Sequence, residues 1–214
     1  MTKVVHFHYY AKDNIGDVAV VNSVKHILSN YLRISTYTSM DVAELRWQIR
    51  RDLLDPLIKQ ARAPELISEL TREVIKPFQL PKMINQHNLC VIGGGGLYST
   101  SFFPMNNHLL KSIKIPIVLY GMGYQRNLGQ KMLTKNQEKS IFELNNCAAL
   151  SSVRDWGTHN FLRKLNIDNT HMVGDPAIFL ESKRPFGIDF DKDKLKIGLN
   201  ISCHGWIKNN IGSL

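Results

Sequence analysis

The sequence predicts an α/β protein, a doubly wound parallel sheet with helices on both faces. Three observations carry this. Short apolar runs rich in β-branched residues recur along the chain, most of them end in glycine or in a polar turn, and amphipathic stretches of helical period separate them. The run at Asn88-Leu89-Cys90-Val91-Ile92-Gly93-Gly94-Gly95-Gly96-Leu97-Tyr98 organises the rest. It is too short and too β-branched for a buried helix, and four glycines follow where the chain is expected to leave the sheet. Glycine there allows positive φ and the close approach of another backbone, a helix or a ligand. In an open α/β sheet, ligands sit at the carboxyl ends of the strands, so this loop is expected to line a binding crevice. Tight packing alone is the competing use. No Gly-Lys-Ser/Thr follows, which excludes a Walker loop. Tyr98 occupies the third small-residue position of a dinucleotide fingerprint, which argues against that cofactor.

The 214 residues suffice for one domain, or for one domain and the start of another. Apolar residues at 43% and charged residues at 21% describe an ordinary globular chain. No apolar run has the length of a membrane span, and Met1 to Phe7 lacks a signal-peptide design. Cys90, Cys147 and Cys203 show no CxxC spacing, so reduced thiols are expected and neither a zinc site nor any other metal. The formal charge of +9 suits an anionic partner: a phosphorylated substrate, a nucleotide or a membrane surface. No nucleic-acid-binding pattern is present, and no nucleic acid is expected as a partner.

In order, Lys3 to Tyr10 is predicted as the first strand. The loop Ala11 to Asp17 then leads into a helix whose apolar face carries Val20, Val21, Val24, Ile27, Leu28 and Tyr31. Asp13 or Asn14 is expected to cap that helix, and Gly16 to bend the backbone. A short strand is expected at Ile34 to Thr38. Helices are expected from Asp41 to about Lys59 and from Glu65 to Ile75, with Pro77 beyond the end of the second. After the glycines, Ser101 to Ile113 reads as a helix with Pro104 in its first turn. Ile115 to Gly123 reads as a strand, Lys135 to Cys147 as a helix, Ala149 to Val153 as a strand, Trp156 to Leu165 as a helix and Thr170 to Val173 as a strand. Residues 1–180 thus form the sheet domain. Residues 181–196 read as a linker and 197–214 as the start of a second domain or an added strand.

Five strand ends carry polar or glycine signatures: Asn14-Ile15-Gly16-Asp17, the four glycines, Gly121-Met122-Gly123, Ser152-Val153-Arg154-Asp155 and Gly174-Asp175-Pro176-Ala177. In a parallel sheet they converge on one edge. Their order and form resemble the polysaccharide pyruvyl transferase family. The resemblance rests on N-x-G-D, I-G-G-G-G, P-I-x-x-x-G-x-G, S-V-R-D and G-D-P-A, and covers the chain to about Leu180. The loop after Gly123, Tyr124-Gln125-Arg126-Asn127, departs from the Gly-Pro-containing sequence usual in that family.

The resemblance implies a Rossmann-like domain that is the N-terminal half of a GT-B-like architecture, with the second domain largely absent from these residues. It implies transfer of a pyruvyl group from phosphoenolpyruvate to hydroxyls of a saccharide or lipid-linked saccharide, as a ketal, with no cofactor. Such a reaction needs cationic groups for phosphate and carboxylate and a base for the acceptor hydroxyl. Asp17 and Asp155 are the candidate catalytic residues. Asn14, Gly16, Gly94, Gly95, Gly96, Gly123 and Arg154 are the candidate substrate-binding residues. Capping for Asp155 and Asn14, and pairing with Asp155 for Arg154, are the competing structural roles. A nucleotide-sugar glycosyltransferase and a non-catalytic scaffold subunit are the other readings. A cytoplasmic location is expected, with contact at the inner membrane face through the basic surface.

Overall fold

A computed structural model describes residues 1–9, 14–42, 76–98, 107–125, 132–181 and 193. Internal contacts divide the chain into two units, Met1–Leu180 and Glu181–Leu214. The first is a Rossmann-like α/β layer structure. In chain order it contains β1 (Thr2–His8), α1 (Ile15–Tyr31), β2 (Ile34–Asp41), α2 (Lys76–Ile84), β3 (Leu89–Gly95) and α3 (Asn107–Ser112). It continues with β4 (Ile117–Met122), α4 (Lys135–Cys147), β5 (Leu150–Val153), α5 (Trp156–Lys164), β6 (Thr170–Met172) and a 3₁₀ turn, Pro176–Phe179. The six strands form one sheet in the order β2-β1-β3-β4-β5-β6, and every pairing is parallel.

Period-two alternation sorts the strand side chains onto two faces. Val5, Phe7, Cys90, Ile92, Ile117 and Leu119 join Ile84, Leu110, Ile141, Leu144 and Leu162 in the larger core, beneath α2, α3, α4 and α5. Val4 and Val91 pack with Val24 of α1 in a smaller core on the opposite face. Helices therefore cover both faces, as a parallel sheet requires. Full burial of one such side chain, Phe7 for example, is worth about 1.5–3 kcal/mol.

The chain leaves β1 for β2 on one side and returns to place β3 on the other. That reversal makes the β1/β3 boundary the topological switch point. Its ladder runs only from Val4–Leu89 to Phe7–Ile92, while β1 stays paired with β2 as far as His8–Asp41. Beyond Ile92 the glycine segment has therefore left β1 and stays paired with β4.

Several elements differ from the sequence reading. Gly93, Gly94 and Gly95 are the last residues of β3 rather than a loop after it, because β4 continues to pair with them. β2 extends to Asp41, so that residue ends a strand instead of opening a helix. Pro77 lies inside the first turn of α2, where a missing N–H costs nothing. Tyr31 ends α1 with its side chain 85% exposed, off the apolar face assigned to it. β1 ends at His8. The 3₁₀ turn after β6 was not anticipated, although Asp175-Pro176 is a suitable start for one. Tyr10, most of the two expected helices between Asp41 and Ile75, the start of the helix at Ser101, nearly all of the linker and the strand at Leu195 lie outside the described residues.

Candidate functional site

All five signatures sit at or beside the carboxyl edge of the sheet, since every strand runs the same way. On the β4–β6 side they are joined by hydrogen bonds. Gly123 N–H donates to the Gly95 carbonyl at 2.8 Å, and Tyr98 N–H donates to the Gly123 carbonyl at 3.0 Å. Gly123 leaves room for Arg154, since a Cβ there would lie 2.6 Å from Arg154 Nε. The guanidinium of Arg154 occupies that space. Its Nη1 donates to Asp175 Oδ2 at 2.8 Å, and its Nε lies 3.8 Å from Asp155 Oδ2. The side chain keeps 23% of its surface exposed, so the cation is held in place without being sealed from solvent.

Both carboxylates also cap helices. Asp155 Oδ1 accepts from Thr158 N–H at 2.7 Å, and Oδ2 accepts from the Thr158 hydroxyl at 2.9 Å. Thr158 Oγ1 in turn accepts from Tyr124 N–H at 2.8 Å, which fixes the backbone just after β4. Asp175 Oδ1 accepts from Ala177 N–H at 3.0 Å and so starts the 3₁₀ turn. Pro176 then packs against Gly121, where φ is +57° and a Cβ would meet the proline ring at 2.6 Å. The Pro176 carbonyl accepts the Ser23 hydroxyl of α1. The Gly-Asp-Pro-Ala signature is thus a strap between α1 and Arg154.

On the β1–β3 side, Asn14 caps α1 by accepting from Gly16 N–H at 3.0 Å, and Asp17 lies half-buried in the first helical turn. Gly94, at φ +78°, lets α1 close on the sheet: a Cβ there would lie 2.4 Å from a Val20 methyl. Gly93 has no room either, since its Cβ would fall 2.0 Å from the Tyr120 carbonyl oxygen. Gly95, at φ +131°, has open space within 4 Å of the added carbon, and Gly96 faces the Gln125 side chain. The four glycines therefore divide their work. Gly93 and Gly94 serve packing, Gly95 is buried with its carbonyl accepting from Leu97 and Gly123 N–H, and Gly96 is the partly exposed end of the run.

Two residues escaped the sequence reading. His6 and His8 alternate along β1 and face α1, fully or almost fully buried. Burial, with some help from His8, holds His6 far below the ordinary imidazole value, at about 3, and burial lowers His8 as well. His6 reaches the Tyr37 hydroxyl at 2.6 Å and the Gly93 carbonyl at 3.1 Å, while His8 Nε2 reaches the Ser39 hydroxyl at 2.6 Å. The available signal was the pair of histidines two apart in an otherwise apolar strand.

The fold and this edge define an α/β protein with polar and glycine-rich strand ends gathered beside a topological switch point. The sequence profile of the polysaccharide pyruvyl transferase family matches residues 14–208, and the chain belongs to that family of transferases, whose name implies a saccharide acceptor. The matched stretch contains all five signatures and begins at the cap residue Asn14, after β1. No curated protein matches the chain.

Proposed function

We propose that this chain takes part in pyruvyl transfer from phosphoenolpyruvate to a saccharide hydroxyl in the synthesis of an exopolysaccharide or cell-wall polymer. The observation that carries this reading is the family match combined with one fixed, partly exposed cation, Arg154, packed against Gly123 at the glycine-rich strand ends. A guanidinium is suited to bidentate binding of phosphate or carboxylate. In this reading Arg154, Gly95, Gly96 and Gly123 hold the anionic donor, and Gly94 sets the approach of α1. Asn14 and Gly16 shape the start of α1, and Asp17 is the group that orients or deprotonates the acceptor hydroxyl. Asp155 is the second candidate catalytic carboxylate, and its oxygens also accept from Thr158 in the helix cap beside Arg154.

Residues 181–196 as a linker and 197–214 as the start of a second domain or an added strand belong to the same proposal, as does a GT-B-like architecture. So does a cytoplasmic site of action at the inner face of the membrane, which the net charge of +9 favours. Among the described residues no helix is long and apolar enough to cross a membrane.

Thermal-shift titration of the full-length protein with phosphoenolpyruvate and with common nucleotide sugars tests the reading. A rise in Tm with phosphoenolpyruvate that Arg154→Ala abolishes is the expected result. A response to a nucleotide sugar alone would replace it with a glycosyltransferase, and no response to either would favour a scaffold subunit.

A further inference from the structure

We propose that His6 is a positioning residue for the glycine segment, holding the Gly93 peptide from beneath so that Gly94 to Gly96 keep their course at the switch point. The inference deepens the reading above by naming what fixes the donor-facing backbone, and it rests on that reading for its functional part.

The β1–β3 ladder ends at Phe7–Ile92, so Gly93 lies one residue past the point where β1 supports β3 through its main chain. The His6 side chain takes over there. A carbonyl can only accept, so the contact at 3.1 Å from Nε2 to the Gly93 oxygen puts the proton on Nε2. With the ring neutral, Nδ1 keeps its lone pair and accepts from the Tyr37 hydroxyl at 2.6 Å. The ring is fully buried, so both bonds are made away from water, where leaving either group unmade costs most.

Two further groups face this pair. The His8 ring centroid lies 5.0 Å from that of His6, and Lys25 of α1 lies 5.6 Å from the centroid of the Tyr37 ring. Val20, also of α1, touches Gly94. Gly93 and Gly94 are thus gripped from β1, from β4 through Tyr120 and from α1, while the Gly95 carbonyl is held by Leu97 and Gly123 N–H. A backbone with positive φ at two successive residues has many alternatives in the absence of such a grip.

The ring tautomer and the glycine amides report on this directly by NMR. In the wild-type protein His6 should show the Nε2–H tautomer and no titration between pH 5 and 8. The Nδ1–H tautomer would overturn the proposal whether or not any variant folds. His6→Gln can donate from a similar position, and should leave amide-exchange protection of Gly94 to Gly96 within about threefold of wild type. His6→Leu should lower it by about tenfold or more. Val4→Ala, a cavity on the same strand and face, controls for general loss of stability and should not act selectively on those amides. For phosphoenolpyruvate, His6→Leu should weaken binding about tenfold relative to Val4→Ala, with His6→Gln close to wild type. Equal glycine protection in His6→Leu and Val4→Ala would overturn the proposal. Selective loss in His6→Leu, with a wild-type protein indifferent to phosphoenolpyruvate, would leave His6 in its role and remove the donor assignment instead.

Discussion

The two halves of the carboxyl edge solve the same problem in different ways. On the β4–β6 side the loops are held by charge: Arg154 is clasped by Asp175 and approached by Asp155, all partly exposed and each carboxylate also closing a helix end. On the β1–β3 side the glycine segment is held by a neutral imidazole and a tyrosine hydroxyl, buried beneath α1. The difference follows from solvation. A charge placed where water and an anionic ligand can reach it is inexpensive to keep and available for binding. A polar group inside the sheet must be uncharged and fully paired. The charged clasp keeps a cation near solvent, and the buried pair fixes a stretch of backbone.

Substitutions separate the two modes, beginning with the largest effect. Gly93→Ala should cost at least about 3 kcal/mol in chemical denaturation, because the new carbon meets a main-chain oxygen that cannot rotate away. Gly95→Ala has no such clash, and its cost should be limited to backbone strain of about 1–3 kcal/mol. On the neutral side, His6→Leu should destabilise the fold by about 1–3 kcal/mol by stranding the Gly93 carbonyl.

Acid should act through the same buried ring. The folded chain leaves His6 unprotonated down to about pH 3, whereas the unfolded chain binds a proton below the ordinary value of 6.5. Between those values the unfolded state holds more protons. Stability is therefore complete above pH 6.5 and falls on acidification, by up to about 1.4 kcal/mol per pH unit from this group. The lowered pKa of His8 adds in the same direction. His6→Gln should flatten the profile measured by denaturation at stepped pH, and an unchanged slope would contradict the assignment.

The charged side should respond more gently. Asp155→Ala should cost about 1 kcal/mol as a lost cap, and Asp155→Asn much less, since asparagine caps as well. Asp175→Asn should change stability least, within about 0.5 kcal/mol. It leaves Arg154 without its strongest partner, so phosphoenolpyruvate binding should change more than Tm does. A change confined to Tm would make Asp175 a cap and nothing more.

Most of the charged half was legible in the sequence. Ser152-Val153-Arg154-Asp155 and Gly174-Asp175-Pro176-Ala177 put polar residues directly after apolar runs, which is what a strand end looks like in one dimension. The capping roles of Asn14 and Asp155 could be read in the same way. The neutral half was not legible. His6 and His8 lie within a strand, and nothing local reveals that Tyr37 and Ser39, about 31 residues on, supply their partners. Gly93 to Gly95 were misplaced for a related reason: glycine signals freedom from a side chain, but only pairing with β4 decides that these residues still belong to the sheet. The helix at Lys76 was missed because Pro77 read as the stop beyond an earlier helix, although it falls in a first turn that tolerates it.

The central claim is that the Gly95–Gly96 end of the glycine segment and the cation near it form the donor site. Amide spectra of the full-length protein titrated with phosphoenolpyruvate test it most directly. The account predicts saturable shifts at Gly95, Gly96, Gly123 and Arg154, absent in Arg154→Ala, with Asn88 and Lys114 at the opposite edge unmoved. Shifts confined to other residues, or at these residues only with a nucleotide sugar, would contradict it.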